Sequence, residues 1–173
     1  MLNILKRLFA AKPRYKPGPP PPPRLVVSQA CIDALAACLA PEIVGGQEGI
    51  VYLLGQSDGT TTVALAAIRP AAQVTRGSFM VGAPAMAKVV RAAVDRGLQV
   101  VGQVHTHPGD AFHSDGDDDG ARIAFTGYVS VVLPDYGRHL PALTRAAAFF
   151  FQGGKGFVPL DAAAVTVLPG RVT

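Results

Sequence analysis

The sequence predicts an α+β domain: a curved, mostly antiparallel β-sheet flanked by helices. Three observations carry this expectation. Strand candidates outnumber helix candidates, and several are neighbours in sequence, as hairpins require. Apolar residues make up 49% of the 173-residue chain and charged residues only 16%. That composition supplies one large core, and the length suits one domain rather than two.

The elements follow in order. Leu25-Val26-Val27 is a short apolar strand. Ser28 is a suitable N-cap for a helix over 29–40, with Cys31, Leu35, Cys38 and Leu39 on its buried face, and Pro41 is expected to end it. Residues 48–55 form an apolar run that reads as a strand. Ser57-Asp58-Gly59 then turns the chain into a returning strand over 60–68. Residues 71–82 are weakly patterned, with a strand expected near 78–81. Pro84 opens a helix over 84–96, closed by Gly97. Residues 98–107 form the next strand. A loop leads to a short helix from Ser114 or Asp115 to about Phe125. Strands are then expected over 128–133 and 145–151, with edge strands near 155–159 and 165–168.

Residues 1–24 read as a separate basic, proline-rich arm, and 25–173 as the folded domain. The arm holds six of the sixteen Lys/Arg and no acid. Its five consecutive prolines, 19–23, favour polyproline II. The remaining ten basic residues face twelve acidic ones, a balance of −2 that gives no electrostatic footprint for nucleic acid. No apolar run is long enough to span a bilayer, and nothing resembles a secretory signal, so no membrane insertion is expected. Cys31 and Cys38 lie two helical turns apart, too far to bridge. They read as reduced residues of a cytoplasmic protein.

The chemistry concentrates in residues 105–117, His-Thr-His-Pro-Gly-Asp-Ala-Phe-His-Ser-Asp-Gly-Asp. Side chains alternate along a strand, so His105 and His107 share a face. Ser114-x-x-Asp117 reads as a helix N-terminus, with Ser114 as cap and Asp117 oriented by the first turn. Two imidazoles and one carboxylate make a three-ligand zinc site with one position open, the catalytic form of such sites. Hydrolysis also needs a general base, and Glu48, at the start of an apolar strand, is the candidate. The Ser114 hydroxyl is placed to donate to a developing oxyanion. Asp110 and Asp118 remain alternative ligands at this level. His113 reads as substrate-facing or merely exposed, and His139 as a bystander in a turn.

Glu48, His105-Thr106-His107-Pro108 and Ser114-Asp115-Gly116-Asp117 resemble the JAMM motif of the JAB/MPN zinc metalloproteases: a glutamate, then His-x-His-Pro, then Ser-x-x-Asp. Glu48 and Gly55 match the family's spacing of glutamate to a strand-ending glycine, and Glu42 does not. Two departures stand out. Five residues separate Pro108 from Ser114 where many members have six, a count that would select Asp118 in place of Asp117. Val51 also stands where a glycine is usual. The Ser114/Asp117 register keeps both partners, and the shorter loop resembles prokaryotic members.

The resemblance implies a JAB/MPN, cytidine-deaminase-like fold with Zn2+ at the sheet edge. In it His105, His107 and Asp117 are ligands, Glu48 activates water and Ser114 stabilises the oxyanion. The implied activity is peptide or isopeptide cleavage after the C-terminal tail of a ubiquitin-like (β-grasp) protein, either deconjugation or precursor processing. The implied setting is a bacterial ubiquitin-like conjugation or antiphage system with E1- and E2-like partners. Other readings are a sulfur-carrier-protein processing peptidase and a non-catalytic scaffold of the same fold. A cupin-like oxygenase fits poorly, because Asp110 and Ala111 stand where its glutamate belongs.

Overall fold

The computed structural model describes residues 21–114, 116, 117 and 123–170. Its elements are β1 (Arg24–Ser28), α1 (Gln29–Gly45), β2 (Ile50–Ser57), β3 (Thr61–Ile68), β4 (Ala72–Val74), β5 (Phe79–Val81), α2 (Ala83–Val94), β6 (Gln99–Thr106), β7 (Val129–Leu133), β8 (Ala147–Phe151), β9 (Phe157–Leu160) and β10 (Val165–Leu168). Eight strands form one sheet in the order β10-β1-β3-β2-β6-β7-β8-β9, and β4 and β5 form a separate hairpin. The sheet is mixed. β1 runs parallel to β3 and β10, and β6 runs parallel to β7. The other neighbours are antiparallel. The α+β class expected from the strand count is the class observed.

β2 lies at the centre, which explains its unbroken apolar run: both faces are covered. Val51 and Leu53 join Cys31, Ile32, Leu35 and Leu39 of α1 in one core cluster. Ile50, Tyr52 and Leu54 join Met86, Val89 and Ala93 of α2 in the other. The sheet is thus sandwiched between two helices, one per face.

Three sequence expectations need correction. Pro41 does not end α1, which runs on to Gly45 with the proline inside it. A proline in a helix interior removes one hydrogen bond. The last turn is nevertheless closed by Gly46 (φ 59°), with Gln47 N–H donating to the Glu42 carbonyl at 3.0 Å. That Schellman closure, with Glu42 buried against Arg69, holds the helix past its proline. Second, the helix expected from Ser114 does not reach Phe125: Gly116 and Asp117 are helical, whereas Ile123–Phe125 are irregular. The stretch between, including Asp115 and Asp118, lies outside the described residues, as do residues 1–20 of the arm. Third, the weak pattern over 71–82 conceals a complete hairpin, β4 with β5. Among the described residues no helix is long and apolar enough to cross a membrane.

Candidate metal centre

β6 and β7 run parallel, so their carboxyl ends lie together, and the long connection between them leaves over that end. His105 is the penultimate residue of β6 and His107 follows the strand directly. The site therefore sits at the ends of central strands, not at the sheet edge. Alternation puts both imidazoles on the α2 side. Thr106 faces the other way, and its Oγ1 accepts from Gly49 N–H at 2.8 Å. Thr106 N–H also donates to the Gly49 carbonyl at 3.1 Å. The antiparallel register sets Ile50 opposite His105, so two residues further on Glu48 stands across from His107. Glu48 is not itself in β2. It lies just before the strand, its N–H donating to the Thr75 carbonyl of the β4–β5 turn at 2.8 Å.

The third ligand candidate arrives from the loop. Asp117 Oδ2 accepts from both the backbone N–H and the hydroxyl of Ser114, each at 2.8 Å. In return, Asp117 N–H donates to Ser114 Oγ at 3.2 Å. This reciprocal cap, expected from Ser-x-x-Asp, aims the carboxylate at the histidines. His105 Nε2 lies 3.1 Å from Asp117 Oδ1, and His107 Nε2 lies 3.6 Å from Oδ2. Ligand atoms of the three residues all fall within 4.8 Å of one another.

These residues fit a metal ion. His105 is fully buried, yet neither ring nitrogen has a hydrogen-bond partner. Buried polar atoms are rarely left so. Nε2 faces a carboxylate oxygen at close range without hydrogen-bonding geometry, which is how two ligands of one ion face each other. Tetrahedral zinc bonds of about 2.1 Å put ligand atoms roughly 3.4 Å apart, and the two observed separations bracket that value.

The electrostatics agree. Burial pushes the Asp117 carboxyl up, but contact with His105 and His107, the His105 charge and the Ser114 N–H outweigh it. The group is held well below the usual carboxylate range. Glu48 goes the other way. Burial raises its carboxyl, His107 draws it down, and Asp117 raises it again. Glu48, His107, Ser114 and Asp117 line a common cavity of about 670 Å3. One wall is the β5 hairpin, residues 77–81, and the other is the loop over 107–112.

The chain belongs to a known family. Residues 30–143 match the family described as prokaryotic homologs of the JAB domain. The JAB chain is 27% identical over 140 residues to "Probable metalloprotease y4jG" of Sinorhizobium fredii, covering 79% of this chain and 86% of that protein. Its fold is similar to the solution structure of protein DSY2949 from Desulfitobacterium hafniense, with a TM-score of 0.63 at 14% identity, over 84% of this chain and 93% of that one.

The structure brings together Glu48, His105, His107, Ser114 and Asp117. Others stay outside the cluster, although Asp110 lines the same cavity. Asp110 is exposed and paired with Arg145 at 3.0 Å. His139 pairs with Asp135 at 2.8 Å. His113 packs against Phe149 and Phe157, with its ring centroid 6.2 Å from that of His105. Sequence reading missed three contributors: Thr106, the hairpin wall and Tyr136, whose N–H donates to the His107 carbonyl at 2.8 Å. Thr106 was legible as the residue between the two histidines that strand alternation turns to the opposite face, where it is buried. The other two depend on contacts between distant segments.

Proposed function

We propose that this JAB-family chain is a zinc-dependent peptidase that cleaves after the C-terminal tail of a β-grasp protein, in deconjugation or precursor processing. The observation that carries the reading is the convergence of His105, His107 and Asp117 at a cavity that His107 and Asp117 line together with a buried glutamate, Glu48. Zinc held by the three ligands would supply Lewis acidity towards a water molecule and the scissile carbonyl. Glu48 takes the proton of the attacking water and hands it on to the leaving amine. Its raised proton affinity suits both halves of that task. Asp117 is kept ionised and aimed by Ser114. The Ser114 hydroxyl donates to Asp117, so service to an oxyanion requires it to turn, with the Ser114 N–H retaining the carboxylate. The walls formed by residues 77–81 and 107–112 hold an extended tail between them. The free thiols Cys31 and Cys38 suit the cytoplasm, and E1- and E2-like proteins are the expected neighbours in function.

The test is metal content together with cleavage of linear fusions, each carrying a β-grasp protein ahead of a reporter. Stoichiometric zinc and release of the reporter at the β-grasp C-terminus, both absent from His105→Ala, are expected. Cleavage of generic peptides but of no β-grasp fusion would overturn the substrate class. Protein that binds no zinc would overturn the whole reading.

A further inference from the structure

We propose that Tyr136 is a positioning residue that sets the separation between Glu48 and the His105/His107/Asp117 group. This rests on the reading of Glu48 as the base.

The backbone at Tyr136 is unusual. Asp135 (φ 52°), Tyr136 (φ 58°) and Gly137 (φ 80°) are three consecutive left-handed residues, separated from β7 by Pro134 alone. Only the last is a glycine, and this conformation is unfavourable for other residues unless the surroundings enforce it. Here they do. Asp135 N–H donates to the Gly109 carbonyl at 3.0 Å and Tyr136 N–H to the His107 carbonyl at 2.8 Å. The Asp135 carboxylate accepts from Arg145 Nη1 and pairs with His139 Nε2, each at 2.8 Å. Arg145 reaches on to Asp110 at 3.0 Å. The segment after β7 is thereby tied to the loop that begins with a ligand histidine.

The Tyr136 side chain then crosses to the opposite wall. Its hydroxyl donates to the Arg76 carbonyl at 2.9 Å, in the turn of the β4–β5 hairpin. The preceding residue, Thr75, is the one whose carbonyl holds the Glu48 N–H at 2.8 Å. One residue thus grips the ligand side through its backbone and the base side through its phenol. Each strand of the hairpin is three residues long and pairs only with the other. Val81 and Phe79 anchor β5 in the core, and the turn reaches the two sides of the site through Thr75 and Arg76. Strain concentrated at a clamp of this kind is expected where a geometry must be enforced.

Tyr136→Phe removes the single bond to Arg76 and keeps the ring. It is tested by amide exchange of the zinc-loaded full chain and by turnover of a linear β-grasp fusion. The expected result is exchange at Glu48 N–H faster by about tenfold. Zinc affinity and exchange at His107 N–H should stay within about twofold, and kcat should fall about tenfold with KM little changed. Unchanged Glu48 exchange would overturn the proposal. So would equal loosening of His107, which would mark a general structural role. If the wild-type chain cleaves no β-grasp fusion, the functional reading fails, and the exchange comparison still decides the clamp.

Discussion

The carboxylate of Asp117 is held from behind by Ser114 and approached from the front by two imidazole nitrogens, 3.1 and 3.6 Å away. Removing any member of that trio would open the coordination of the proposed ion. His105→Ala and Asp117→Ala are therefore expected to lose stoichiometric zinc, measured by elemental analysis after dialysis. Asp118→Ala is expected to keep it; the reverse pattern would move the ligand by one residue. Glu48→Gln is expected to keep zinc and lose about 10²–10⁴-fold in turnover, the usual worth of a general base. The same variant carries a pH signature in the metal-free protein. Burial raises the Glu48 carboxyl above its unfolded value, so the folded state binds that proton more tightly than the unfolded chain. Stability is then lost as pH rises through the interval from the unfolded to the folded value, and the loss persists above it. Glu48→Gln should melt higher than wild type at neutral pH, and the gap should close below about pH 4. A gap unchanged with pH would mean that the carboxylate is not desolvated.

At the scale of elements, β2 explains the glycine that accompanies the glutamate. Its register shifts against β3 at Leu54/Gly55 and against β6 at Leu53/Leu54. A Cβ at Gly55 would lie 1.8 Å from the Val63 carbonyl oxygen, backbone that cannot move aside. Gly55→Ala is expected to destabilise the fold by roughly 3 kcal/mol or more, read from the denaturation midpoint. Because β2 also carries the approach to Glu48, partial loss of activity should accompany it. Most elements were legible from pattern: the covered strand β2, the serine-capped start of α1, the proline-marked start of α2, and the His-x-His strand. The exceptions share a cause. α1 outlasts Pro41 because Glu42, buried beside Arg69, and Gly46 close its end. The β4–β5 hairpin is made of three-residue strands too short to show a period.

For the whole molecule, the zinc proposed above would couple to folding. Ligands that meet only in the folded state make metal binding stabilise that state, by about 2.7 kcal/mol at a hundredfold excess over Kd. Chelation is expected to lower the melting temperature by roughly 5–11 °C for a domain of this size, and His105→Ala should not respond to chelator at all. Every strand of the eight-stranded sheet lies between Arg24 and Leu168. A chain starting at residue 21 is accordingly expected to retain both the zinc and the melting temperature of the full chain. A large drop in either would mean that the arm belongs to the folded unit.

Sequence alone determined the candidate donors and most of the scaffold. His105, His107 and Asp117 lie within thirteen residues, and strand alternation and a helix cap are local rules that fix which way such side chains face. Tertiary structure decided what surrounds them. Glu48 is brought opposite His107 by the pairing of β2 and β6 in one register, across more than fifty residues of chain. The hairpin wall is tied to Glu48 and to Tyr136 through single hydrogen bonds between segments far apart in sequence. Local periodicity has no access to such pairings, because their register is selected by the packing of the whole core.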